Sequence, residues 1–292
     1  MKDAAADADE AGCILRSGFV DSLLQPPSER PRMRIRSVDL AVLSDIHLGT
    51  RHCRAEALLA YLEQLDPRRL VLNGDIIDFW HMGRRWPAAH VAVAQRLLRF
   101  AKEGVEVHLL TGNHDDVLRR FVPHVLGHIR LDDHLELDLD GRRTLFVHGD
   151  LADGSHSTSA AVRWVGGQAY DGIMALDSLV NRARTWLGYD RVSLLAQVKE
   201  RLPIAASHIA RYEAACAAYA LARGCTAVVC GHIHLPRMRE IMVGEVSVQY
   251  LNSGDWVEHC TALEYHGGWS VHHPAASRVR APVFGLEEAM QP

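Results

Sequence analysis

Five times along this chain a short aliphatic run ends in side chains that bind metals or move protons. Leu40-Ala-Val-Leu-Ser leads into Asp45-Ile-His47, Leu70-Val-Leu into Asn73-Gly-Asp75-Ile-Ile-Asp78, and Val107-His-Leu-Leu-Thr into Gly112-Asn113-His114-Asp115. Further on, Thr144-Leu-Phe-Val leads into His148-Gly-Asp150, and Ala227-Val-Val-Cys into Gly231-His232-Ile-His234. Runs this apolar lack the alternation of a half-exposed strand and fit strands covered on both faces. Helical spacing follows the first two. Ala55-Glu-Ala-Leu-Leu-Ala-Tyr-Leu-Glu-Gln-Leu has apolar residues at helical intervals, with Asp66-Pro67 expected to stop it. A second helix is expected over about 88–103, ending at Gly104. Strand, polar loop, helix and strand again is the order of an α/β fold.

The donors in those loops belong to one kind of chemistry. Divalent metals that activate water favour carboxylate oxygens and neutral imidazole nitrogens, and an Asn carbonyl adds an uncharged oxygen. Two such metals about 3.5–4 Å apart need a bridging ligand, which a carboxylate with its two oxygens provides. Asp75 is the best candidate bridge. Taken singly, an Asp-x-His or His-x-His pair is ordinary, and Gly-Asn-His reads as a turn with Asn at positive φ. Taken as an ordered set behind five buried strands, the donors define a metal site assembled from strand ends.

Asp45-x-His47, Gly74-Asp75, Gly112-Asn113-His114-Asp115, His148 and Gly231-His232-x-His234 resemble the motifs of the calcineurin-like metallophosphoesterases, over about residues 38–257. The resemblance implies a four-layer α-β-β-α sandwich, two mixed sheets flanked by helices, and two divalent cations, Mn²⁺ first, with Fe and Zn as alternatives. It assigns Asp45, His47, Asp75 and His234 to one cation, and Asp75, Asn113, His148 and His232 to the other. His114 then sits beside the scissile phosphate, and Asp115 is expected to orient it or balance its charge. The protein Ser/Thr phosphatases of this superfamily carry Asp-Arg-Gly after the second motif, so Asp78-Phe79-Trp80 points away from them.

The run Tyr250-Leu-Asn-Ser-Gly-Asp-Trp-Val-Glu, together with an expected helical insertion, resembles the branch containing the UDP-2,3-diacylglucosamine diphosphatases of lipid A synthesis. That resemblance implies Mn-dependent release of UMP and an acylated sugar 1-phosphate at the inner membrane. The branch is expected to carry Arg after the motif Asn, where this chain has His114. A soluble nucleotide, phosphodiester or phosphomonoester therefore stands as the alternative substrate class. A non-catalytic scaffold on the same fold is expected to show damaged ligand positions, and these are all intact.

Residues 1–34 mix Ala, Asp, Glu, Arg and Pro without periodicity and are expected to form a loosely ordered arm, before a metallophosphoesterase domain over 35–273 and a tail over 274–292. The strand–helix rhythm breaks over about 151–205, where aromatic, apolar and Arg residues indicate a helical insertion, either a packing elaboration or a lid. Pro203 is expected to break the chain before an Ala-rich helix over about 204–221, and a β meander closes the domain. Candidate substrate contacts are Asp78, Trp80, Arg84 and Arg85 in the loop after the second motif, and Tyr189 and Arg191 in the insertion. A net charge of −4 lacks the polybasic signature of generic nucleic-acid binding, so the expected partner is a small phosphorylated molecule. The six Cys form no CxxC pair and fit a reducing compartment. Without a run of about 18 apolar residues, a cytoplasmic location with peripheral contact to the inner membrane is the expectation.

Overall fold

The computed structural model describes residues 35–80, 86–153 and 203–273. The expected N-terminal arm and C-terminal tail, most of the expected insertion, and Arg84, Arg85, Tyr189 and Arg191 lie outside the described residues.

Strands β1 (Arg36–Leu43), β2 (Leu65–Asn73), β3 (Glu106–Leu110), β4 (His124–Leu126), β5 (Ile129–Asp132), β11 (Ala262–Tyr265) and β12 (Trp269–His272) form one sheet, in the order β12-β11-β1-β2-β3-β5-β4. The second contains β6 (His134–Leu139), β7 (Arg142–Val147), β8 (Ala227–Cys230), β9 (Arg237–Val243) and β10 (Val246–Asn252), in the order β6-β7-β8-β10-β9. Both are mixed. Strands β1, β2, β3 and β5 run parallel in the first, β7, β8 and β10 in the second, and antiparallel strands close the edges.

The aliphatic runs are continuous because each strand is covered twice. In β1, Leu40 and Val42 face the other sheet, where they pack with Val71, Leu110, Phe146, Val229 and Leu251. Ala41 and Leu43 point the opposite way, as the two-residue period of a strand requires. They pack with Leu58 and Leu62 of α1 (Ala55–Leu62) and Val93, Leu97 and Phe100 of α2 (Ala88–Lys102). Helix α3 (Pro203–Ala222) covers the second sheet through Tyr212, Cys216, Ala217 and Ala220. Helices, sheet, sheet and helix make the four-layer α-β-β-α sandwich.

Three local expectations are corrected. Helix α1 ends at Leu62, and Asp66-Pro67, expected to stop it, already belongs to β2. Pro67 is tolerated because β3 joins β2 only from Arg69 onward, so one side of the strand has no ladder to lose there. Pro203 opens α3 instead of breaking the chain, since a first-turn residue needs no intrahelical N–H bond. The closing strands do not form one meander: β9 and β10 pair in the second sheet, β11 and β12 in the first. The chain crosses between sheets through Ser253–Thr261, and Trp256 donates its N–H to the Asp45 carbonyl on the way (3.1 Å).

Candidate metal centre

Strands β1, β2 and β3 of one sheet and β7 and β8 of the other all end at the same rim of the sandwich. Parallel strands deliver their C-terminal loops to one side, which is where open α/β sheets place ligands. The turns there are tight. Asp45, His47, Asp75, His232 and His234 all adopt positive φ, between 50° and 69°. Such backbone costs of the order of 1–3 kcal/mol per residue and persists where the surroundings over-determine it, commonly at functional sites. Among the described non-glycine residues, only Asp140 and Cys260 share the conformation.

Two motif glycines are explained by close approach. A Cβ on Gly112 would lie 2.2 Å from Asp75 Oδ1, and one on Gly231 would lie 2.4 Å from Asp45 Oδ2. Each glycine leaves room for a carboxylate delivered by another strand.

The donors meet in two adjoining groups. His234 Nε2 lies 3.2 Å from Asp45 Oδ1 and 3.4 Å from His47 Nε2. Asp75 Oδ2 lies 3.9 Å from that same His47 nitrogen and 3.3 Å from His148 Nε2. The other Asp75 oxygen, Oδ1, accepts the His114 backbone N–H (2.8 Å), so one oxygen alone faces both groups. Beside them, His232 Nδ1 faces Asn113 Oδ1 at 3.0 Å. Asp45, His47 and His234 can together hold a cation, as can Asp45, Asp75 and His148.

The donor set fits cations better than it fits a closed hydrogen-bond network. His148 is fully buried, its Nδ1 sits 3.0 Å from the Asn73 carbonyl, and its Nε2 has no hydrogen-bond partner. An imidazole held by one nitrogen, with the other aimed bare at a carboxylate, is the arrangement of a metal-ligating histidine. Burial alone would push Asp75 up and His148 down. Instead His148, with His47 and His114, holds the Asp75 carboxyl well below its usual range, and Asp75 and Asp45 hold His148 well above its own. Protons on imidazoles balance the carboxylates, and a divalent cation would replace them.

A third carboxylate group lies alongside. Asp78 Oδ2 is 2.8 Å from His114 Nδ1 and 3.3 Å from His47 Nδ1. Burial pushes its carboxyl up, but His114 and His47 outweigh this and keep it ionised. Asp115, expected to serve His114, is placed elsewhere: its oxygens accept the N–H groups of Gly112 (2.6 Å) and Ile76 (2.9 Å). It clamps the β2 and β3 loops together, and burial, with Asp75 nearby, raises its carboxyl. Trp80 lays its ring 4.2 Å from the His114 ring, tilted 35°, and is 50% exposed.

Asp78, expected as a substrate contact, instead lies buried beneath the His114 and His47 imidazoles, and sequence reasoning passed over the buried Asp255. The signal for Asp78 was its place three residues beyond Asp75 in the same loop. For Asp255 it was a carboxylate beside Gly254 in the polar run Asn252-Ser-Gly-Asp255 that directly follows an aliphatic strand.

Strand-end donors, a two-sheet sandwich and bare imidazole nitrogens define a metal-binding phosphoesterase scaffold. Residues 38–236 match the model of the calcineurin-like phosphoesterases, and the chain belongs to that family. A UDP-2,3-diacylglucosamine hydrolase from Neisseria gonorrhoeae is 32% identical over 112 residues, covering 37% of this chain and 47% of that protein. The chain thus spans about half the length of that relative. Proteins with the same name from Aeromonas salmonicida and Xanthomonas axonopodis pv. citri are 25% identical over 251 residues and 26% over 232. Each match covers 76% of this chain, and 87% and 92% of the relative respectively.

Proposed function

We propose that this chain is a two-metal phosphohydrolase that cleaves the diphosphate of UDP-2,3-diacylglucosamine, giving UMP and an acylated sugar 1-phosphate. The observation that carries the hydrolase reading is the buried, bare His148 Nε2 facing Asp75 Oδ2 at the meeting point of five strand ends. The printed names of the relatives, two of them matched over most of their length, support the substrate.

Asp45, His47, Asp75 and His234 would hold one cation in this reading, and Asp75, Asn113, His148 and His232 would hold the other, Asp75 being common to both sets. Mn²⁺ is the expected metal from the family resemblance, with Fe and Zn as alternatives, because carboxylate and imidazole donors suit all three. Bound there, two divalent cations supply positive charge to a phosphoryl oxygen and make water acidic enough to yield hydroxide near neutral pH. The chain does the rest. Asp78 stays ionised and holds the Nδ1 side of His114, so that Nε2 is the nitrogen available to give a proton to the leaving oxygen. Trp80 covers one side of that imidazole and shields it from bulk water. Phe79 and Trp80 are exposed beside the site and offer apolar surface to a substrate with acyl chains. No described helix is long and apolar enough to cross a membrane, and the lipid substrate implies peripheral contact with the inner membrane.

His114 favours a second reading, in which a soluble nucleotide or phosphodiester is cleaved at the same centre. Hydrolysis of UDP-2,3-diacylglucosamine in detergent with Mn²⁺, beside a chromogenic phosphodiester and a phosphomonoester, separates the two. UMP release well above both soluble reactions is expected, and turnover of the soluble esters alone would replace the lipid substrate. Asp75→Ala is expected to abolish every metal-dependent reaction, and unchanged turnover would sink the two-metal assignment.

A further inference from the structure

His234 carries its own bare nitrogen. While Nε2 points at Asp45 and His47, Nδ1 on the far side of the ring is buried and has no hydrogen-bond partner. The carboxylate that faces it is Asp255, whose Oδ2 lies 3.9 Å away.

Asp255 is completely buried and firmly held. Its Oδ1 accepts the N–H groups of Val257 (2.7 Å), Glu258 and His259 (3.2 Å), an arrangement that turns the chain back toward β11. Its Oδ2 is left for imidazoles, with His259 Nδ1 at 2.7 Å. The same segment is tied to the first strand end. Trp256 donates to the Asp45 carbonyl, and Ser44 Oγ donates to the Gly254 carbonyl (3.1 Å) and meets Ser253 Oγ at 2.7 Å. Asp255 therefore moves with Asp45, on the opposite side of His234 from it.

A histidine that binds a cation through Nε2 must be neutral and must carry its proton on Nδ1, and a negative charge facing Nδ1 favours the proton there. We infer that Asp255 is a positioning residue for the His234 site: its Oδ2, 3.9 Å from Nδ1 and beyond hydrogen-bond distance, draws the proton of neutral His234 to Nδ1 by its charge and so favours the tautomer that presents Nε2 to the cation. This rests on the two-metal reading and assigns a task to the Asn252-Ser-Gly-Asp-Trp stretch, whose charged residue the hydrolysis itself leaves unused. It also explains why a carboxylate already balanced by His259 keeps a second imidazole so near. The chain His259, Asp255, His234 runs from the half-buried surface to the metal-binding rim.

Asp255→Asn is close to isosteric and can keep the three backbone contacts through its carbonyl oxygen, while its NH₂ would meet the His234 Nδ1–H donor against donor. Titration of the metal-free full-length chain with Mn²⁺ is expected to show two equivalents bound by the wild type. In Asp255→Asn one of them should weaken by about 10–100-fold while the other is unchanged, whatever fall in melting temperature the lost pair with His259 brings to the metal-free protein. Equal affinities in both proteins would overturn the inference and leave the two-metal reading standing. So would parallel weakening of both sites with a large fall in melting temperature, the mark of a purely structural aspartate. No uptake by the wild type would overturn both. If the variant does not fold, ¹⁵N spectra of the Zn²⁺-loaded wild type decide. A protonated Nδ1 on His234 is expected, and a protonated Nε2 would overturn the assignment.

Discussion

A single oxygen of Asp78 serves two imidazoles, 3.3 Å from His47 Nδ1 and 2.8 Å from His114 Nδ1. In the proposed mechanism it therefore links a metal-side histidine, His47, to His114 beside the reacting phosphate. With His114 as the proposed proton donor, His114→Gln should lower kcat by about 10²–10⁴-fold, the usual worth of general acid catalysis. Asp78→Asn should lower it in the same direction, and the double variant should be no slower than His114→Gln by more than the cost of a loosened His47. Full additivity of the two effects would separate residues that the geometry couples. Adjacency in sequence suggested Asp115 for the place Asp78 holds. Both carboxylates sit within a few residues of a donor, and chain order does not record which way a tight loop turns each of them. The donors themselves were legible because each follows a buried strand with almost no intervening loop.

The elements behind the site carry its loops by contacts that local pattern does not announce. His90 of α2 is buried and accepts the Gly49 N–H through Nδ1 (3.0 Å), supporting the loop that begins at Asp45-Ile-His47. Burial lowers the pKa of His90, against the opposing pull of Glu56. The folded state thus binds this proton less readily than the unfolded chain, whose His titrates near about 6.5. Its contribution is present above that pH and is lost as pH falls through the lower folded value. Denaturant melts should therefore show His90→Gln, which keeps an acceptor without titrating, losing less stability than the wild type as pH falls below about 6.5, on top of the opposite slope that His47 and His148, held high by neighbouring carboxylates, give both proteins. Equal slopes in the two proteins would remove His90 as a source of acid sensitivity. Helix α2 could be read from its spacing and α3 from its Ala-rich run, whereas the early start of β2 at Leu65 could not, because Pro67 is acceptable only where β3 has not yet joined. The crossing at Ser253–Thr261 was equally hidden, since a strand's own pattern does not say which sheet it enters.

At the scale of the whole molecule the site joins the two sheets. Asp45, His47, Asp75 and Asn113 come from loops of the first, and His148, His232 and His234 from loops of the second. A ligand that binds only the folded state adds about 2.7 kcal/mol when present at about a hundred times its Kd. Stripping the metals with a chelator should then lower Tm by about 5–10 °C for a domain of this size, and Mn²⁺ in excess should restore it. A melting curve indifferent to both treatments would mean that the rim holds no cation strongly.

His47 and His234 face each other across 187 residues of sequence. In a zinc finger a few neighbouring ligands gather the metal and the metal gathers the chain, so that binding and folding are one event. Here no short segment owns a complete set of the proposed ligands, which are spread along the sequence from Asp45 to His234. The protein must find its shape first and its metal afterwards. In the two-metal reading the cation then meets a finished rim and does not guide its assembly.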